Sequence, residues 1–187
     1  ASKISALLYS LAIGNPSVSI SYIKDDRRVF HTKKENTFNE NLLLLFGMDY
    51  YDSLISINSS DENTDYKISG RIGNNTFYRA NRQMQYVYVN GRYVEDDGVR
   101  DAVEEKFRSI IPNGRFPAFQ IFIETDPKNI DINIHPNKQK IKFQNKDKLL
   151  TLIGDAVRKG LFSSTEIPLK SDAGSSMASS FNFSSAS

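Results

Sequence analysis

Apolar residues recur along the chain at two kinds of spacing. A spacing of two residues is typical of strands, and a spacing of three to four residues is typical of amphipathic helices. Helical spacing covers residues 2–12, 37–46, 97–111 and 147–161. Strand spacing covers a hairpin of residues 18–24 and 27–32, and then residues 51–57, 66–72, 85–89, 92–94 and 119–123. This order of elements predicts an α+β domain with a mixed β-sheet and helices packed on one face of that sheet.

Local signals define several ends of these elements. Thr37 and Glu40 have the spacing of a capping box, in which each side chain binds a free backbone N–H at the start of a helix. Asn90-Gly91 is the strongest two-residue hairpin signal in the chain. Residues 59–64 are predicted as a polar loop, and residues 77–80 are predicted to pair back after a turn at residues 73–75.

Composition divides the chain in two. Serine occupies ten of the 25 residues from 163 to 187, and the apolar periodicity is lost there. The sequence therefore predicts a folded domain over residues 1–162 and a serine-rich linker or disordered tail over residues 163–187. The net charge is +2 and cysteine is absent, so a charged binding site must come from local clustering and thiolate metal sites are excluded.

Residues 129–143 have the sequence Asn-Ile-Asp-Ile-Asn-Ile-His-Pro-Asn-Lys-Gln-Lys-Ile-Lys-Phe. Isoleucines at alternate positions from Ile130 to Ile134 predict a strand with one buried face. Pro136 has no N–H, so strand pairing ends or bulges there. The pattern therefore predicts a kinked loop that exposes Lys138 at the end of a strand. Judged by its residues alone, such a lysine is most often a solvated charge.

A second motif, Tyr-Val-Tyr-Val-Asn-Gly-Arg, covers residues 86–92. The turn directs Arg92 outward, and Arg79 and Arg82 lie shortly before it in the chain. Three guanidinium groups together would form a basic patch that contacts phosphates without reading base sequence. The simpler interpretation is that these residues only build a hairpin.

The two motifs resemble two signatures of the MutL-type DNA mismatch repair proteins. Residues 130–138 resemble VDVNVHPxK, and residues 86–92 resemble YxFVNGR. The resemblance extends over about residues 2–161 and matches the second, or transducer, domain of that family. It implies a transducer-type fold, which is the ribosomal-protein-like second domain of GHKL ATPases.

The resemblance also implies roles for particular residues. In the family, the motif lysine reaches the γ-phosphate of ATP in the preceding domain, so Lys138 is expected to do this. His135, Pro136 and Asn137 would shape the loop around it. His135 is alternatively a catalytic base or metal ligand, but the other histidine, His31, is distant in sequence. The family's DNA-binding groove implies DNA contacts for three residues, which are Arg92, Arg79 and Arg82.

The resemblance implies that ATP and Mg²⁺ are bound by an ATPase domain of the parent protein, and that this chain alone has no activity and binds no cofactor. The implied partners are that ATPase domain, a MutL-like second protomer, a MutS-like mismatch recognition protein and duplex or single-stranded DNA. The expected location is the cytoplasm or nucleoid of a bacterium, or the nucleus of a eukaryote. Two alternatives stay open: a type II topoisomerase transducer, and a nucleic-acid or protein interaction domain unrelated to ATP.

Other side chains have two interpretations each. Lys140 and Lys142 could extend a phosphate-binding strip, or they could be solvated residues of an edge strand. Phe116, Phe119 and Phe122 could stack on bases, but their position around an apolar strand favours core packing.

Overall fold

The computed structural model describes residues 3–131 and 140–165. The helices are α1 (Lys3–Gly14), α2 (Phe38–Phe46), α3 (Met48–Asp52), α4 (Asp97–Phe107) and α5 (Lys146–Thr165). The strands are β1 (Ser21–Lys24), β2 (Arg27–His31), β3 (Leu54–Asp61), β4 (Tyr66–Gly73), β5 (Tyr78–Arg79), β6 (Gln85–Val89), β7 (Arg92–Val94), β8 (Phe116–Pro117), β9 (Phe119–Glu124), β10 (Ile130–Asp131) and β11 (Lys142–Phe143). None of the helices within these ranges is both long enough and apolar enough to cross a membrane.

A five-stranded sheet with the order β3-β4-β9-β6-β7 is the centre of the fold. Strands β6 and β9 are parallel, and the other neighbouring pairs are antiparallel. Strands β1 and β2, β5 and β8, and β10 and β11 form separate antiparallel pairs. The α+β class with a mixed sheet is therefore confirmed.

Alternate residues of the central strands face two different layers of the core. Val87 and Val89 of β6 pack with Ile121 of β9 beneath α4 and α5. Tyr86 and Tyr88, from the same strand β6, pack on the other side with residues of α1, α2 and α3. Helices thus cover both faces of the sheet, which corrects the prediction that they lie on one face. The physical reason is that every residue of β6 is buried, as a strand between two layers requires.

A buried hydrogen bond connects α3 to the sheet. The Tyr50 hydroxyl donates to Gln120 Oε1 at 2.8 Å, and both side chains are fully buried. Burial raises the pKa of Tyr50, so its hydroxyl stays a donor at physiological pH.

The local signals at the predicted ends are confirmed. Thr37 N donates to Glu40 Oε2 at 2.6 Å, and Glu40 N donates to Thr37 Oγ1 at 3.2 Å, which completes the capping box of α2. Asn90 and Gly91 have φ angles of 48° and 79° in the turn between β6 and β7. Both angles lie in the left-handed region that Asn and Gly tolerate best.

Other predicted boundaries are wrong. Residues 48–52 form α3, whereas a strand was expected from residue 51, because Tyr50 is drawn into the core beside Gln120. Strand β3 continues to Asp61 and takes up residues 59–61 of the predicted loop, because it pairs with β4 along its whole length, while residues 62–64 form a turn as expected. Residues 78–79 pair with β8 and do not fold back locally, and α4 ends at Phe107, short of residue 111.

Two predicted segments lie outside the described residues. One is residues 132–139, between β10 and β11, and the other is residues 166–187. Helix α5 itself continues to Thr165, three residues beyond the end of the domain expected from the sequence. The extent of the tail therefore stays a prediction.

Candidate functional site

The signature residues His135, Pro136, Asn137 and Lys138 lie outside the described residues, but both flanks of their segment are described. Strand β10 leads into the segment and β11 follows it, and these strands pair with each other in antiparallel register, 130 with 143 and 131 with 142. The described residues on the two sides of this segment, 130–131 and 142–143, therefore lie side by side. We call the described residues around this pairing the segment base, comprising residues 125–131 and 142–144.

The flank that follows the segment is held by Gln144. Its backbone N–H donates to Asn129 O at 2.8 Å, and its Nε2 donates to Lys128 O at 2.9 Å. The Tyr66 hydroxyl of β4 donates to Gln144 O at 2.6 Å. Burial raises the pKa of Tyr66, which keeps this hydroxyl protonated. Three hydrogen bonds thus connect Gln144 to the other flank and to the central sheet.

The flank that precedes the segment is held by the side chain of Asn90. Asn90 Nδ2 donates to Thr125 O at 3.0 Å, and Thr125 N donates to Asn90 Oδ1 at 3.0 Å. Further along, Asn129 Nδ2 donates to Thr125 Oγ1 at 3.0 Å. The turn of the second motif and the base of the first are therefore in direct contact.

Asp126 adds a charged contact to the same flank. Its carboxylate accepts the backbone N–H of Lys128 at 2.9 Å and lies 2.9 Å from Lys128 Nζ. The backbone hydrogen bond, followed by the side-chain one, lowers the pKa of Asp126. Asp126 N donates in turn to Asp65 Oδ2 at 3.1 Å. Because Lys128 is exposed and Asp126 is only partly buried, we expect this ion pair to order the loop locally and to contribute little to stability.

Arg92 follows the Asn90-Gly91 turn and is exposed as the first residue of β7. Its backbone pairs with Val89. Within residues 3–131 and 140–165 it takes part in no ion pair, so its guanidinium group is available to an anionic partner.

Arg82 lies three residues before β6 and already forms an ion pair. Its Nε and Nη2 donate to the two oxygens of Glu104 at 2.7 and 3.0 Å, and its guanidinium carbon lies 4.3 Å from the centre of the Phe116 ring. Burial raises the pKa of Glu104, but hydrogen bonds from Arg82 and Gln85 outweigh burial, so the net shift is downward. The ion pair therefore persists at physiological pH and offsets much of the positive charge of Arg82.

Arg79 lies close to Arg82 and far from Arg92. Its guanidinium carbon is 3.8 Å from the centre of the Phe77 ring, and its backbone pairs with Phe116, the ring that Arg82 covers. Arg82 precedes β6 and Arg92 follows it, and the Cα atoms of Gln85 and Val89 at the two ends of this strand are roughly 13 Å apart at about 3.3 Å per residue. The expected patch of three arginines is therefore corrected to a pair and a separate Arg92.

The remaining candidate residues are phenylalanines in and around β9 and lysines in and next to β11. Phe119 is fully buried, and Phe122 stacks on Tyr88 with ring centres 5.0 Å apart, so these two rings serve the core. Lys140 and Lys142 are exposed on the described side of the segment. Their exposure agrees with both interpretations of the lysine strip.

Metal-ligating side chains do not cluster in the described residues. Within residues 3–131 and 140–165, no group of three or more histidine, aspartate or glutamate side chains is close enough to hold a metal ion.

Sequence reasoning missed the side-chain role of Asn90 and the contributions of Tyr66 and Gln144. Asn90 looked like a turn residue, and its contact with Thr125 joins positions 35 residues apart. The one available signal was that Asn, unlike Gly, adds an amide able to donate and accept at once. Tyr66 and Gln144 carried no signal, because a strand tyrosine and a loop glutamine are ordinary.

Comparison with known proteins places this site in a family. The family model described as DNA mismatch repair protein, C-terminal domain, matches residues 42–161. The chain is 36% identical to the DNA mismatch repair protein MutL of Thermoanaerobacter pseudethanolicus over 165 residues, which is 88% of this chain and 26% of that protein. It is 32% identical to MutL of Clostridium perfringens over 158 residues, or 84% of this chain and 23% of that protein. The chain thus spans about a quarter of these relatives.

Solved structures agree on the fold. The crystal structure of the N-terminal domain of a DNA repair protein superposes with a TM-score of 0.74 at 21% identity, covering 87% of this chain and 53% of that one. A variant of the Aquifex aeolicus MutL ATPase domain superposes with a TM-score of 0.56 at 15% identity, covering 83% and 50%. These likenesses support the transducer-type α+β fold. The family match over residues 42–161 and the identity to MutL relatives show that the chain belongs to the MutL family of DNA mismatch repair proteins.

Proposed function

We propose that this chain, within a longer parent protein, couples ATP binding to DNA binding and to closure of a dimer during mismatch repair. The observation that carries the proposal is the segment base, where the flanks of residues 132–139 are paired and bonded to the turn that presents Arg92. Hydrogen bonds thus connect the turn of one family signature to the described flanks of the other, although the two signatures are separated in sequence. A connection of this kind lets a contact made by one signature affect the position of the other.

In this proposal, Lys138 contacts the γ-phosphate of an ATP molecule bound with Mg²⁺ by the ATPase domain of the parent. ATP supplies a phosphate whose presence differs before and after hydrolysis. A lysine suits this contact because its compact ammonium group is a strong point charge. His135, Pro136 and Asn137 would shape the loop that carries it. The described support for this proposal is the pairing of β10 with β11, the strands that flank the motif in sequence.

DNA binding is assigned first to Arg92 and then to the pair Arg79 and Arg82. Arg92 has the strongest claim, because its side chain is exposed and makes no ion pair within the described residues. Arg82 would have to share its guanidinium group with Glu104. All three would bind phosphates of duplex or single-stranded DNA without regard to sequence.

The proposed partners follow from the same role. An ATPase domain of the same parent chain would meet residues 132–139, and a second MutL-like protomer would complete the DNA channel. A MutS-like mismatch recognition protein would recruit the assembly, in the cytoplasm or nucleoid of a bacterium or in the nucleus of a eukaryote.

The test compares Lys138→Ala with Lys140→Ala in the full-length parent protein, by steady-state ATP turnover. Losing a hydrogen bond to a charged phosphate should lower kcat/KM for ATP roughly 10- to 100-fold in Lys138→Ala. Lys140 is exposed and two residues away, so its substitution is the matched loss of charge and should leave kcat/KM within about twofold. Equal turnover in wild type and Lys138→Ala would show that the proposed phosphate contact does not exist.

A further inference from the structure

The side chain of Asn90 does more than its turn requires. A two-residue turn with positive φ at both positions can also be formed by Gly-Gly, which has no side chain to form hydrogen bonds. In this protein, both polar groups of the Asn90 amide are bonded to the backbone of Thr125, one as donor and one as acceptor, each at 3.0 Å. The two hydrogen bonds together fix the backbone of Thr125 relative to the turn.

Asn90 is itself held firmly by the central sheet. Its backbone N–H donates to Ile123 O at 2.9 Å, which continues the parallel pairing of β6 with β9 beyond the end of the strand. Its φ of 48° and the φ of 79° at Gly91 define a tight turn. The backbone that carries the Asn90 side chain is therefore held in place at the end of the sheet.

A continuous chain of hydrogen bonds runs from that point to both flanks of residues 132–139. Thr125 Oγ1 accepts from Asn129 Nδ2, Asn129 O accepts from Gln144 N, and Gln144 O accepts from the Tyr66 hydroxyl. Asn129 directly precedes β10, and Gln144 directly follows β11. The chain thus begins at the sheet with Asn90, crosses both flanks of the segment base, and returns to the sheet at Tyr66.

We propose that Asn90 is a positioning residue: its amide sets the location of the segment base, which flanks the part of the sequence that contains Lys138. This inference rests on the proposed function of Lys138. It assigns to the Asn-Gly-Arg motif a second task besides presenting Arg92. Asn90 acts through Thr125 and touches no nucleotide.

The Asn90→Gly variant tests the side-chain amide independently of the turn conformation. Glycine accepts the φ of 48° without strain, so the hairpin is retained while both bonds to Thr125 are lost. Asn90→Asp keeps an acceptor for Thr125 N–H but has no donor for Thr125 O, so it should fall between wild type and Asn90→Gly.

The first measurement is amide hydrogen exchange of the full-length parent protein, which does not depend on catalysis. In Asn90→Gly, peptides covering residues 125–131 and 142–144 should exchange roughly fivefold faster, because two exposed hydrogen bonds that restrain them are absent. Peptides from α5, which lies against β3 and α4, should exchange at the wild-type rate. Unchanged exchange at the segment base would show that the amide does not hold it.

The second measurement is ATP turnover in a double-mutant cycle with Lys138→Ala. Asn90→Gly alone should lower kcat/KM roughly fivefold, with Asn90→Asp between it and wild type, and it should add nothing in the Lys138→Ala background. Two effects that multiply independently would overturn the positioning role, since Asn90 would then act on something other than Lys138.

The two proposals fail in different ways. If Lys138→Ala lowers turnover while Asn90→Gly speeds exchange and leaves turnover unchanged, positioning by Asn90 is wrong and the phosphate contact stands. If Lys138→Ala itself leaves turnover unchanged, the proposed function is wrong, and with it the role of Asn90 in that function, whatever the exchange at the segment base.

Discussion

Lys146 Nζ lies 2.8 Å from Asp96 Oδ2, and the other oxygen of the same carboxylate accepts the Val99 N–H at 2.9 Å. Asp96 is the N-cap of α4, and Lys146 is the first residue of α5. One buried carboxylate therefore connects the first turns of the two helices that cover one face of the sheet. Because α5 begins shortly after β11, this contact also determines where the chain goes after the segment base.

Substitutions at Asp96 should distinguish the contribution of the helix cap to stability from the contribution of the ion pair. Asp96→Asn keeps an acceptor for Val99 but loses the charge, and Asp96→Ala loses both. We expect the free energy of unfolding to fall by about 1 kcal/mol for Asp96→Asn and about 2 kcal/mol for Asp96→Ala, with the ion pair discounted because Lys146 is half-exposed. Denaturant unfolding measures both values. Lys146→Met is the control, because it removes the ion pair and leaves the cap; a value far from that of Asp96→Asn would contradict this division.

A close approach of two strands makes Gly70 hard to replace. Gly70 pairs with Ile121 across β4 and β9, and a Cβ at Gly70 would collide with the backbone carbonyl oxygen of Gln120. Gly70→Ala should therefore lower the free energy of unfolding by about 2 kcal/mol or more, because the backbone of a central strand has to move. Gly73→Ala in the same strand is the matched control, since its Cβ would meet Phe77 at 3.4 Å, an ordinary contact. Equal losses by thermal or denaturant unfolding would rule out the proposed collision.

What could be predicted from the sequence was encoded in neighbouring residues. The capping box at Thr37 and the turn at Asn90 each involve residues within three positions of one another, so their chemistry can be read directly. The α+β class followed from periodicity over whole elements. The two family signatures supplied the assignment to mismatch repair, which the comparisons bear out.

What could not be predicted depends on contacts between distant residues. Helix α3 looked like a strand because it is short and rich in tyrosine, and only the partnership of Tyr50 with Gln120, 70 residues away, shows why it turns inward. The second helical layer was missed because the fully buried β6 has the same pattern on both faces. The three arginines are close in sequence, but the extended strand β6 lies between Arg82 and Arg92. The role of Lys138 stays a prediction, because residues 132–139 are not described.

The separation of Arg92 from Arg82 leads to different expectations for DNA binding. Arg92→Gln in the full-length parent should weaken duplex binding and reduce the slope of log affinity against log salt by about 0.9, the value for one phosphate contact. Arg82→Gln should change this slope less, because the guanidinium group of Arg82 is already paired with Glu104. It should instead lower the free energy of unfolding by about 1 kcal/mol, a value discounted because the ion pair is half-exposed.

Fluorescence anisotropy of a labelled duplex, titrated at several salt concentrations, measures the affinity and the slope together. Arg27→Gln is the matched control, because Arg27 is exposed on the β1–β2 hairpin and its loss changes the net charge by the same amount. If Arg27→Gln and Arg92→Gln reduce the slope equally, DNA senses only the net charge of the protein. If Arg92→Gln alone reduces it, the Asn-Gly-Arg turn contacts a phosphate. The same turn would then bind DNA through Arg92 and hold the segment base through Asn90, which is the physical connection that coupling between ATP and DNA requires.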